Sequence, residues 1–128
     1  MAKTKRCSDA VRAGRLEKAK QFRMAAEIVD EYAAGDVALI DAYVTLCVQA
    51  GIAAADAICC VRLGEHAQGD DHREAIALVE KVDKQHGRDL AVLLAMKNRT
   101  EYGESPASAK DRKQAMRAMA RLVDASVG

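Results

Sequence analysis

The chain has 128 residues, of which 20 are basic and 19 acidic, for a formal charge of +1. That length is enough to bury a core in one domain, and the balanced charge excludes a global pull toward nucleic acid or a membrane surface. Half of the residues are apolar, yet aromatics are 3%, Trp is absent and Pro106 is the single proline; bulk from Ala, Leu, Val, Ile and Met suits close helix packing better than a sheet.

The first residues, MAKTKRCSDA, are polar and lack the apolar run of a signal peptide. Residues 1–7 are expected to be a flexible basic N-terminus of a single cytoplasmic domain spanning 1–128. A first helix is predicted from about Ser8 to Ala34. Its stripe, Ala19, Phe22, Ala26, Val29 and Ala33, alternates steps of three and four, as one face of an amphipathic helix does. Gly35 is expected to end it and Asp36 to cap the next helix.

From Val37 to Leu63 polar residues are confined to Asp41, Thr45, Gln49, Asp56 and Arg62. A helix apolar on nearly every side belongs inside a bundle or a membrane. Gln49 and Asp56 inside the run, and its small Ala and Gly side chains, favour the bundle, so no membrane partner is expected. This long central helix is predicted over roughly 36–67, with Gly51 marking a close helix crossing or a kink. Gly64 and Gly69 bracket a polar stretch where it ends.

Asp70 and Asp71 are suited to cap a third helix over about 71–85, whose apolar face is Ala75, Leu78, Val79 and Val82. Gly87 is expected to separate it from a fourth over about 88–101, with Leu90, Leu93 and Leu94 on one face and Met96 to the side. His86 then reads as a helix C-terminal residue. Ser108 and Asp111 have capping-box spacing and open a last helix carrying Ala115, Met116, Met119, Leu122 and Val123. The fold class expected is all-α, an antiparallel bundle of four to five helices.

Chemistry is sparsely marked. Cys47, Cys59 and Cys60 lie in apolar surroundings and read as buried thiols of a reducing cytosol, while adjacent Cys59 and Cys60 diverge too far to share a metal in the CxxC manner. Neither a metal site nor a cofactor is expected. Two basic groups, Lys3 to Arg23 and Lys110 to Arg121, read as solvated helix faces, with phosphate contact as the alternative. Arg62 and His66, four apart on one helical face, could hold a phosphate and move a proton, the minimum for cleaving RNA through its 2′-hydroxyl.

Three stretches, Gly51 to Lys81 with its His72, Leu93 to Gly103, and the Ser-started last helix, resemble the HEPN superfamily (higher eukaryotes and prokaryotes nucleotide-binding) of small helical bundles. The resemblance runs from about residue 19 to 125. Many active members are metal-independent endoribonucleases that use an Arg followed by a His at a dimer interface. The matching stretch here keeps Asn98 but has Lys97 where Arg is expected and Tyr102 where His would fall. Tyr, with a pKa near 10, is a weak base at neutral pH.

The resemblance therefore implies a non-catalytic branch: a homodimeric binding module for a protein, a nucleotide or RNA, with Lys97, Asn98, Arg99 and Tyr102 near the seam. Arg62, His66 and His72 are further candidate binding residues. The resemblance also implies a nucleotidyltransferase or antitoxin partner in a toxin–antitoxin pair. An endoribonuclease using Lys97, Asn98 and Tyr102, or Arg62 and His66, is the first alternative. A structural helical protein with no nucleic-acid role is the second. The surplus apolar surface of the long helix is expected to be covered partly by a second copy.

Overall fold

The computed structural model describes residues 3–33, 39–69 and 71–127, with Glu101 and Tyr102 followed along the backbone alone. Among the described residues five helices carry the fold: α1 (Asp9–Ala33), α2 (Ile40–Leu63), α3 (His72–Glu80), α4 (Lys84–Tyr102) and α5 (Ala109–Val127). Two three-residue strands, β1 (Thr4–Arg6) and β2 (Glu65–Ala67), pair antiparallel with Lys5 opposite His66. The all-α expectation holds. The caps expected at Gly35, Asp36 and Asp70 lie outside the described residues.

α2 is the hub, touching every other helix and β2. By length and composition it could cross a membrane, yet 67% of its most apolar window is buried against the rest of the chain. Only Ala42 and the last residues, Val61, Arg62 and Leu63, are exposed. Much of the apolar surplus is thus met by the chain's own helices, while Val61 and Leu63 stay exposed at the end of α2. A Cβ on buried Gly51 would land on Leu93 Cδ1 of α4 and reach Leu122 Cδ1 of α5 at 3.5 Å, so this glycine marks a close crossing of three helices.

The polar seam of α2 has a structural use. Asp41 Oδ1 accepts a hydrogen bond from the Ala107 N–H at 2.7 Å, fastening the α4–α5 loop, and the Thr45 hydroxyl donates to the Asp41 carbonyl at 2.8 Å. The expected stripe of α1 faces the core, with Ala19 and Ala26 fully buried. On α5, the Ser108 hydroxyl accepts from the Asp111 N–H at 3.1 Å while Asp111 Oδ2 accepts from the Ser108 N–H at 2.9 Å, a reciprocal capping box. Those bonds, with Arg99, hold the Asp111 carboxyl below its ordinary pKa.

Three boundaries differ from expectation. α2 stops at Leu63, because Gly64 adopts φ 75° and returns its N–H to the Cys60 carbonyl. The chain beyond becomes β2 instead of further helix. α3 ends at Glu80, and α4 starts at Lys84 because Asp83 caps it by accepting from the Gln85 N–H at 2.7 Å. Gly87 is therefore inside α4, where its missing Cβ makes room for the Glu80 side chain, and His86 sits in a first helical turn. Met96, expected to the side, is buried.

Described from Lys3 onward, the N-terminus is tied down rather than free. β1 pairs with β2, the Cys7 N–H donates to the Gly64 carbonyl at 3.0 Å, and Cys7 is disulfide-bonded to Cys60. The turn at Gly64 folds the chain back beside the last turn of α2, which is what brings Cys7 to a Cα separation of 5.5 Å. Cys60 is thus not the free thiol expected. Cys47 and Cys59 are free and buried, and burial pushes both thiols up to about 12.

Several arginines of the two basic groups join helices instead of facing solvent alone. Arg23 bonds Asp124 at 2.7 Å between α1 and α5; Arg112 Nε bonds Asp30 at 2.8 Å and its guanidinium lies 5.5 Å from the centre of the Tyr43 ring. These guanidiniums are committed to carboxylates of the same chain, which takes them away from phosphate contact.

Candidate functional site

A cavity of about 140 Å³ opens between α2, α3, α4 and the β2–α3 loop. Its apolar wall includes Ile52, Leu78, Leu90 and Leu94, and its polar groups include Asp56, His72 and Lys97. Each polar group is delivered by a separate helix. Asp56 is an interruption in the apolar run of α2, His72 opens α3 directly after the Asp71 cap, and Lys97 lies one helical turn beyond the buried pair Leu93 and Leu94 of α4. Cys59, one turn after Asp56, adds a protonated thiol to the wall.

Asp56 brings a carboxylate into this largely apolar wall. Its side chain is 16% exposed, and Arg15 Nε of α1 stands 3.6 Å from Oδ2, too far for a good hydrogen bond. Burial raises the Asp56 pKa above its ordinary value, while the charges of Arg15 and His66 oppose that rise. Neither His72 nor Lys97 forms an ion pair with a described residue. A desolvated carboxylate and two uncommitted donors around an apolar wall are the ordinary ingredients of a small-ligand site.

The remaining candidates do not gather there. Arg62 and His66 do not share a helical face: Arg62 is exposed near the end of α2, while His66 lies past Gly64 on β2, 5% exposed, with Nδ1 2.9 Å from the Ala67 carbonyl oxygen. Arg62 borders a different groove of about 360 Å³, together with Arg12, Ile58, Val61 and His86. The Nδ1 of His86 is buried without a partner among the described residues.

Lys97, Asn98 and Arg99 also diverge, as three consecutive helical residues must. Lys97 enters the cavity and Asn98 is exposed, whereas Arg99 donates to Asp111 at 2.9 Å across the α4–α5 loop. The Tyr102 side chain lies outside the described residues. Among the described residues no group of three or more His, Cys, Asp or Glu is placed to hold a metal ion.

Asp56 is the residue that sequence reasoning leaves unassigned. Its signal is a charge in the middle of an otherwise apolar helix, a position where a carboxylate is costly unless it is paired or used. No protein-family model and no curated protein sequence matches the chain.

Proposed function

We propose that this chain is a non-catalytic, HEPN-like binding module that takes the base of a nucleotide into the cavity of Asp56, His72 and Lys97. The observation that carries the reading is that His72 and Lys97, on two different helices, border the same cavity as the mostly buried carboxylate of Asp56. A cavity near 140 Å³ admits one or two rings rather than a whole drug-sized ligand, so the sugar and phosphate would remain at its mouth. Asp56 accepts from the ring N–H or exocyclic amino groups of a base, the leucines and Ile52 cover its faces, and Lys97 with His72 meets the phosphate.

The division of Arg62, at the end of α2, from His66, on β2, supports binding over RNA cleavage by that pair. A nucleotidyltransferase or antitoxin partner rests on the resemblance alone. The test is a thermal-unfolding panel of nucleoside monophosphates, free bases and sugar phosphates. A nucleotide should raise the midpoint and the matching sugar phosphate should not. Equal shifts from sugar phosphate and nucleotide, or no shift from any nucleotide, would reject the reading.

A further inference from the structure

Four helix ends leave a groove where they converge. The start of α1, the end of α2, the α3–α4 junction with the first turn of α4, and the end of α5 border about 360 Å³. That volume lies in the ordinary range for a small-molecule site, roughly 300–1,000 Å³. Its wall is aliphatic: Ile58 and Val61 share one face of α2, Leu16 comes from α1, Val82 from the α3–α4 junction and Val127 from α5. Val61 and Val127 remain 56% and 57% exposed, so folding leaves apolar surface in this groove uncovered. No aromatic ring lines it among the described residues. A flat ring therefore finds no stacking face there, and a flexible alkyl chain fits better.

The polar groups of the groove suit an anion. Arg62, one turn after Ile58, forms no ion pair with a described residue. Arg12 stands 3.9 Å from the fully exposed Asp9, beyond hydrogen-bond reach. His86 arrives because Asp83 starts α4 three residues earlier, and its Nδ1 is buried without a partner among the described residues. A buried ring nitrogen in that state is costly until something supplies a bond. Among the described residues no acidic side chain lines the groove. The carboxylates near it in sequence are engaged elsewhere. Asp83 accepts from the Gln85 N–H at 2.7 Å, Asp124 pairs with Arg23 at 2.7 Å, and the Glu80 side chain lies over Gly87.

We infer that this groove binds a medium-chain fatty acid, its alkyl chain against Ile58 and Val61 and its carboxylate held by Arg62, Arg12 and His86. The two carboxylate oxygens accept from guanidinium N–H groups and from the imidazole N–H, so one head group satisfies all three side chains. The site is independent of the nucleotide reading, because the groove and the Asp56 cavity share no lining residue.

Titration calorimetry of the full chain with decanoate, kept below its micelle concentration, tests this. One decanoate should bind per chain. Decanol, which keeps the chain and loses the charge, should bind about tenfold more weakly, and acetate and decyltrimethylammonium should not bind. Arg62→Ala should weaken decanoate by about tenfold, Val61→Asp should abolish it, and Lys97→Ala should bind as wild type does. Arg62 and Val61 are both exposed, so neither change disturbs the core, and far-ultraviolet circular dichroism checks that the helices persist. No binding of decanoate, decanol binding as tightly as decanoate, or unchanged decanoate affinity in Arg62→Ala or Val61→Asp would each overturn the site. A nucleotide titration of Val61→Asp reads the Asp56 cavity separately, so either proposal can fail without the other.

Discussion

Arg121 reaches across from α5 to both carboxylate oxygens of Asp89 on α4, with Nε 3.0 Å from Oδ2 and Nη2 2.7 Å from Oδ1. Asp89 is 1% exposed and receives a further bond from Gln85 at 3.1 Å. The carboxylate is what pushes the Arg121 guanidinium pKa up. Removing the arginine strands a buried charge, which costs more than the pair itself contributes. Arg121→Ala is expected to destabilise by about 2–3 kcal/mol in urea unfolding, and Arg121→Ala with Asp89→Leu should recover much of that loss.

Gly51 offers a test of the helix crossing. In an exposed helix, Gly→Ala stabilises by roughly 1 kcal/mol. Here the added methyl would land on Leu93, so Gly51→Ala is expected to destabilise by about 1–3 kcal/mol, the usual cost of overpacking. Adding Leu93→Ala to the same chain should relieve the clash, which a double-mutant cycle would show as a favourable coupling.

Asp56 gives a pH signature. Its folded pKa is raised, chiefly by burial, above the ordinary 3.8. Between the unfolded and folded values the native state holds more protons, so stability falls as pH rises through that window and stays lower above it. Asp56→Asn cannot ionise and escapes the loss. It should be more stable than wild type near pH 7, with the advantage vanishing below about pH 4, as read by thermal unfolding across pH. A variant that gains stability while losing ligand is the behaviour of a binding residue.

The disulfide gives a redox signature. Cys7–Cys60 closes a separation of 53 residues, so Cys7→Ala should cost about 2–4 kcal/mol under oxidising conditions and little in the presence of a thiol reductant. Cys47 and Cys59, with thiols pushed up to about 12, should resist iodoacetamide at pH 8 until the protein is denatured. Mass spectrometry of the alkylated protein reads both.

What the sequence showed follows the range of each interaction. The Ser108–Asp111 box is legible because it is decided within a few residues. The alternation in α1 predicts its buried face but says nothing of the apolar residues left on the other side. β1 and β2 are too short to show a period of two, and their pairing is set by the turn at Gly64, far along the chain from Lys5. Gly87 is a louder breaker than Asp83, yet the helix runs through Gly87 because Glu80 packs over it. His72 and Lys97 are nameable from the resemblance. That they share a cavity with Asp56 depends on how α3 and α4 dock on α2, which no local pattern encodes.

The central claim is that this cavity, rather than the Arg62 groove, holds the ligand. Calorimetric titration of the best-stabilising nucleotide into wild type, Lys97→Ala and Arg62→Ala decides it most directly. One nucleotide should bind per chain. Lys97→Ala should weaken binding by about tenfold, near 1.4 kcal/mol for one charge-assisted phosphate contact, and Arg62→Ala should bind as wild type does. Loss of binding in Arg62→Ala with Lys97→Ala unchanged would contradict the account.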